Sequence, residues 1–120
     1  MKVAVSSQGQ SLEDKMDPRF GRTKHFLIVD TDTMEYRAVD NKQNLQLAQG
    51  AGIQAAQNVI NEGVSAIVSG NCGPKAFATL SAAKIDIYVG NSGTVREIVE
   101  KLKAGSLAKA DNANVEGHWV

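Results

Sequence analysis

A single cysteine, Cys72, excludes an internal disulfide, and no C-x-x-C pair is present. With only two histidines, His25 and His118, the chain lacks ligands at zinc spacing. Aromatic residues make up 5% of the chain, too few for a stacking platform that grips single-stranded nucleic acid. Neither sign of charge is in excess: thirteen basic and thirteen acidic side chains cancel, so no whole-molecule field points to nucleic acid or an anionic membrane. Apolar runs stay far below the length needed to cross a bilayer. Met1-Lys2-Val3-Ala4-Val5 enters a strand pattern directly, without the apolar core of a signal peptide. These shortages fit a cytoplasmic protein with no membrane and no nucleic-acid partner.

What is present is one domain's worth of alternating elements, 120 residues with 42% apolar content. Strand patterns run over Lys2–Ser7, His25–Asp30, Glu35–Asp40, Ser65–Ser69 and Ile85–Val89. Helical spacing places Ile53, Ala56 and Ile60 on one face, with Gly52, Ala55 and Val59 beside them, and Gly63 ends that helix. A second helix runs from Pro74 to about Ala83. A third follows the cap residue Thr94, with Val95, Ile98, Val99 and Leu102 inward, and stops at Gly105. The expected order is βββαβαβα. Hairpins make the first three strands antiparallel, and right-handed crossovers add two parallel strands. The result is a three-layer α/β fold of ribonuclease H-like topology, a five-stranded mixed sheet in the order 3-2-1-4-5 with three helices. Residues 1–107 form the domain. Asn41 to Asn44 is a polar connector, and residues 108–120, polar apart from Trp119, read as a flexible tail.

This topology brings five segments to one rim: Ser6–Gly9, Asp17–Lys24, Asp40–Asn44, Gly70–Lys75 and Gly90–Thr94. Three helix N-termini face the same way. Their N–H groups and the glycine turns favour an anion, and Arg19, Arg22, Lys24 and Lys75 add positive charge, partly offset by Asp14 and Asp17. Met16 and Phe20 would add apolar contacts. Gly21, Gly70, Asn71, Gly73, Pro74, Asn91, Ser92 and Gly93 complete the expected cofactor-binding rim.

Cys72 has three readings: an apolar filler, a thiolate ligand to a soft metal, or an activated nucleophile. Its place by a helix start favours some thiolate character. Position 78, six residues on, is alanine, so the arginine-closed phosphate loop of a thiol phosphatase is missing. Gly50-Ala51-Gly52-Ile53-Gln54-Ala55 matches a dinucleotide fingerprint, but no strand pattern directly precedes it and no acid lies twenty residues on; close helix–sheet packing is the better reading. The first strand carries no acid, which argues against two-metal nuclease chemistry.

Four motifs follow one another: Asp17-Pro18-Arg19-Phe20-Gly21-Arg22, Gly50-Ala51-Gly52-Ile53-Gln54-Ala55-Ala56, Gly70-x-x-Gly73-Pro74 and Thr94-Val95. In this order they resemble the dinitrogenase iron–molybdenum cofactor biosynthesis family over roughly residues 1–107. The resemblance implies a ribonuclease H-like fold and non-catalytic binding or carriage of metal–sulfur clusters. The stand-alone length and the Asp-Pro-Arg-Phe-Gly-Arg form resemble short members that hold a mixed molybdenum–copper sulfide cluster. Nitrogenase-associated members often carry histidine where this chain has Arg19. The resemblance thus implies an anionic, thiomolybdate-type cluster more than an iron–molybdenum one. A protein recipient or operon partner and a monomeric state are expected, and Cys72, not a fixed feature of the family, is a candidate metal ligand on its own chemistry. Two other readings stay open: a cysteine-dependent enzyme using Cys72, and a regulatory module that binds a phosphorylated metabolite or a partner protein through the rim.

Overall fold

The computed structural model describes residues 1–41 and 50–113. Its elements are β1 (Lys2–Ser7), β2 (His25–Asp30), β3 (Tyr36–Asp40), α1 (Ala51–Asn61), β4 (Ala66–Val68), α2 (Pro74–Ala82), β5 (Asp86–Tyr88) and α3 (Val95–Lys103). They form one five-stranded sheet in the order β3-β2-β1-β4-β5. The β1–β2 and β2–β3 pairs are antiparallel, and β1–β4 and β4–β5 are parallel. The expected α/β topology is therefore the observed one. Residues 42–44 of the connector, His118 and Trp119 lie outside the described residues.

Strand alternation divides the apolar side chains between two cores. Ala4, Phe26, Ile28, Ile67 and Ile87 face α1 and α2. Val3, Val5, Leu27, Val29, Ala66 and Val68 face α3. Central strands covered on both sides need this nearly continuous apolar composition. Each fully buried Val, Leu or Ile stabilises the fold by roughly 1.5–3 kcal/mol relative to leaving it in water.

The helices differ in how they meet the sheet. In α3, Val95, Ile98, Val99 and Leu102 are buried as expected. Thr94 caps it reciprocally: its hydroxyl accepts from the Glu97 N–H at 3.2 Å, and the Glu97 carboxylate accepts from the Thr94 N–H at 2.9 Å. That hydrogen bond from the Thr94 backbone holds the Glu97 carboxyl below its ordinary pKa. In α1 the expected residues Gly52, Ala55, Ala56 and Val59 are buried and Ile60 packs against the core, and Ile53 alone departs from the expected face. The buried face consists of Ala51, Gly52, Ala55, Ala56 and Val59, while Ile53 is 38% exposed. Small side chains let this helix backbone lie close to the sheet, and proximity outweighs the extra area Ile53 would bury.

The expected tail also begins differently. Leu107 packs against the α3-side core and Ala110 against the other. Lys109 bridges Tyr88 in antiparallel fashion, and the Ala110 N–H donates to the Ile87 carbonyl at 2.7 Å. A three-residue edge strand leaves backbone groups unpaired, and this segment covers them. Residues 108–110 are thus part of the folded body rather than of a loose tail.

Candidate anion-binding rim

The C-terminal ends of β1, β3, β4 and β5 share one edge of the sheet, together with the start of β2. The long 8–24 connection lies across that edge and has no regular structure to satisfy its backbone, so it bonds to the rim itself. The Asp17 N–H donates to the Ser6 carbonyl, Met16 to Gly93, and Phe20 to Asn71, at 2.9, 2.9 and 3.2 Å. Short bridges join Ser7 to Met16, Lys15 to Thr94 and Arg19 to Asn71. The Ser6 hydroxyl lies 2.6 Å from the Asp17 carbonyl and 2.9 Å from the Ser69 hydroxyl, closing the seam between the loop, β1 and β4. The expected convergence of 17–24, 70–75 and 90–94 is thereby built from backbone contacts.

Gly70 is the tightest point. A Cβ placed there would lie 2.8 Å from both the Cα and the carbonyl oxygen of Pro18, which are backbone atoms that cannot step aside. Only glycine permits this approach. The Gly70 carbonyl in turn accepts from the Gly90 N–H at 2.8 Å, so one residue ties two neighbouring turns together.

Four cations lie on the segments that meet at this edge: Arg19, Arg22 and Lys24 in the 17–24 loop and Lys75 at the start of α2. Arg19 is exposed, and its guanidinium lies 3.8 Å from the Asp17 carboxylate. That carboxylate is buried and already accepts from the Arg19 N–H at 2.9 Å, so it shapes the turn as well as pairing with the arginine. Lys24 and Lys75 are exposed and Arg22 is half-buried. The Asp14 carboxylate accepts from the Ser11 N–H at 3.0 Å. The 17–24 and 70–75 segments thus carry four cations against Asp17, with Asp40 at the adjoining end of β3.

The three helix starts are not equivalent. At α3 the Val95 and Arg96 N–H groups donate to the Asp14 and Leu12 carbonyls, and Glu97 to Thr94, so that start is closed. At α1 and α2 no side chain caps the helix. Gly50 adopts a left-handed conformation before α1. Pro74 fills the first position of α2, where a missing N–H costs nothing. Both helices lie on the same face of the sheet, and each start carries the positive end of its helix dipole. Asn91 is half-buried, its amide donating to the Val89 carbonyl at 3.3 Å; Ser92 is exposed; and the Gly93 carbonyl is taken by Met16. The 90–94 turn is thus mainly a strut.

Three expectations are corrected. Cys72 is fully buried with Phe20 and Ala76 beneath α2. Burial pushes its thiol up to about 12, the reverse of the thiolate character expected beside a helix start. Phe20 is fully buried as well, its ring centroid 5.1 Å from that of Phe26. Met16 is buried in the α3-side core. Phe20 and Met16 are anchors that hold the loop down on opposite sheet faces, not apolar contacts at the rim surface.

The roles of two residues escaped the sequence reading. The Thr23 hydroxyl lies within 3.1 Å of the Ser7 N–H and carbonyl and of the His25 carbonyl. Asn41, fully buried, donates through its amide to the Thr23 carbonyl at 2.9 Å. A lone asparagine after a strand is the only trace of this in the sequence. Among the described residues, no three His, Cys, Asp or Glu side chains group as metal ligands. No described helix is long and apolar enough to cross a membrane.

Comparison with known proteins agrees with this architecture. The chain is 39% identical to the orange protein of Desulfovibrio gigas, solved in its apo form. That structure matches with a TM-score of 0.93 over 95% of this chain and 96% of that one. A putative NifB protein from Thermotoga, solved by NMR, matches with a TM-score of 0.82 at 32% identity, covering 97% of this chain and 98% of that one. An uncharacterized protein of Methanocaldococcus jannaschii is 31% identical over 114 residues, 91% of each chain. The sequence profile of the dinitrogenase iron–molybdenum cofactor family matches residues 1–105, and the chain belongs to that family.

Proposed function

We propose that this protein binds and carries, without transforming it, a preformed anionic metal–sulfur cluster on the rim between the 17–24 loop and the starts of α1 and α2. The observation that carries this reading is the combination of donors. Two uncapped helix starts and the cations Arg19, Arg22, Lys24 and Lys75 share an edge where no described cluster of ligating side chains exists. Such a set suits a polyanion that brings its own sulfide ligands and suits a bare cation poorly. Arginine offers N–H donors and no lone pair for a metal, so Arg19 acts by charge and hydrogen bonding. The cargo we infer is a thiomolybdate-type molybdenum–copper sulfide, in preference to an iron–molybdenum cluster. Its destination, on this reading, is a recipient protein in the cytoplasm. The carrying unit is a monomer whose cluster-binding domain takes in the 107–110 segment.

The cysteine-enzyme reading loses its support, because a buried thiol raised to about 12 is neither a nucleophile nor a ready ligand near neutral pH. A phosphorylated metabolite would use the same donors. Equilibrium competition separates the two: the cluster reading expects tetrathiomolybdate to stay bound in excess inorganic phosphate and phosphorylated nucleotides. Displacement at equal concentration would favour the metabolite reading.

A further inference from the structure

The half of the rim that carries Arg22 and Lys24 is tied to one buried side chain, that of Asn41. The Asn41 amide donates to the carbonyls of Thr23 at 2.9 Å and Gly21 at 3.5 Å, and its backbone N–H donates to the Lys24 carbonyl at 2.8 Å. Three carbonyls within four residues thus converge on one residue. The amide is itself oriented from the far side: the Asn58 amide of α1 donates to the Asn41 carbonyl oxygen at 3.1 Å. Asn41 is fully buried and Asn58 half-buried. A buried amide with its donors and acceptor engaged on two elements sets their relative position, because every alternative leaves a polar group unpaired at a cost of about 1–3 kcal/mol.

The geometry assigns Asn41, oriented by Asn58, the role of a positioning residue for anion binding: it holds the Gly21–Lys24 strap, and with it Arg22 and Lys24, in register with α1. This rests on the rim being the anion site. The strap has no regular secondary structure of its own, and the Thr23 hydroxyl fixes only its junction with β1 and β2. Without the Asn41 amide, the Gly21 and Thr23 carbonyls lose these partners and the two cations lose their fixed distance from the α1 start. Chemistry sets the substitutions. Asn41→Asp places a carboxylate oxygen against two carbonyl oxygens, and Asn41→Ala removes the contacts. Asn58→Ala removes the bond that orients the amide, along with an exposed 3.4 Å hydrogen bond from the Gln54 amide, and spares the core should the Asn41 variants unfold.

The test uses tetrathiomolybdate as probe, with binding measured on the folded full-length chain below its unfolding transition. Asn41→Ala or Asn58→Ala is expected to weaken binding by about tenfold, roughly 1.4 kcal/mol. In an Arg22→Ala/Lys24→Ala background the same substitutions should add almost nothing, since they act through those cations. The gap from wild type should also narrow between about 0.01 M and 1 M salt, where the screening length falls from about 30 to 3 Å. In ligand-free protein, amide exchange should quicken over residues 20–24 while α3 stays protected. Additive losses, or a loss insensitive to salt, would overturn the positioning role. Wild-type protein that fails to bind the probe would instead overturn the rim as an anion site, and the exchange pattern would still judge the strap.

Discussion

Replacing Gly70 by alanine probes the joint on which the rim depends. The added Cβ would meet the Cα and carbonyl oxygen of Pro18 at 2.8 Å and its Cβ at 3.1 Å. Carbon atoms in good contact stand about 3.5–4 Å apart, so the 17–22 loop must retreat by several tenths of an ångström. The retreat acts on the Phe20 to Asn71 hydrogen bond, already long at 3.2 Å, and on the buried Phe20 ring behind it. Overpacking of this kind costs about 1–3 kcal/mol. For a domain of this size that lowers Tm by roughly 4–12 °C. Tetrathiomolybdate affinity should fall with it, because Arg19 moves with Pro18. Gly63→Ala is the control: its φ of 73° makes alanine strained, but nothing lies within 4 Å of the new Cβ and the site is at the other end of α1. It should cost about 1 kcal/mol and leave binding alone. Calorimetry and an absorbance titration on both variants decide the matter. A Gly70→Ala protein with wild-type Tm and affinity would refute the idea that the Pro18–Gly70 contact builds the rim.

Further predictions follow from the same geometry. Arg19→Ala/Arg22→Ala should reduce tetrathiomolybdate affinity by at least about tenfold at low salt, at about 1 kcal/mol per cation, whereas Cys72→Ser should reduce it only modestly; reconstitution assays showing the opposite ranking would return the cysteine to the centre. The native Cys72 thiol should resist alkylation at pH 8 and react once the protein unfolds. Its raised folded-state pKa, from a reference of 9.0 to about 12, means the unfolded chain ionises first, so its contribution to stability is present below pH 9 and is lost as pH rises toward 12. Urea melts of Cys72→Ala should accordingly fall less steeply with pH in that window than wild type. Thr94→Ala should cost about 1 kcal/mol in stability without altering anion affinity, since the start of α3 is already closed by carbonyls of the 8–24 loop.

The strand and helix pattern was legible wherever one periodicity dominated. Lys2–Ser7 and His25–Asp30 read as strands over the residues that form them, and the α3 stripe of Val95, Ile98, Val99 and Leu102 is the buried one. In α1 the close packing expected of Gly52, Ala55, Ala56 and Val59 is the observed one, and only Ile53 was misplaced, because hydropathy ranks it high whereas packing on the sheet selects the small side chains. The convergence of rim segments followed from topology alone. The closing of the α3 start did not, because it depends on carbonyls of Leu12 and Asp14, which carry no side-chain signature. Proximity of Cys72 to a helix start was visible in sequence; the depth at which Phe20 and Ala76 enclose it was not, and that depth reverses the direction of its pKa. Asn41 was placed on the rim with the 40–44 segment, but its role was hidden for the same reason: it bonds to backbone carbonyls seventeen to twenty residues away in the chain and to the Asn58 amide.

The most direct measurement is reconstitution. Apo protein is mixed with tetrathiomolybdate and a copper salt, passed over a gel-filtration column, and its peak analysed for visible absorbance, molybdenum, copper and protein. The account predicts a coloured peak in which molybdenum and copper travel with the monomer in a fixed ratio, and in which an Arg19→Ala/Arg22→Ala protein emerges largely colourless. Metals eluting entirely in the salt volume, with the protein peak colourless, would contradict it.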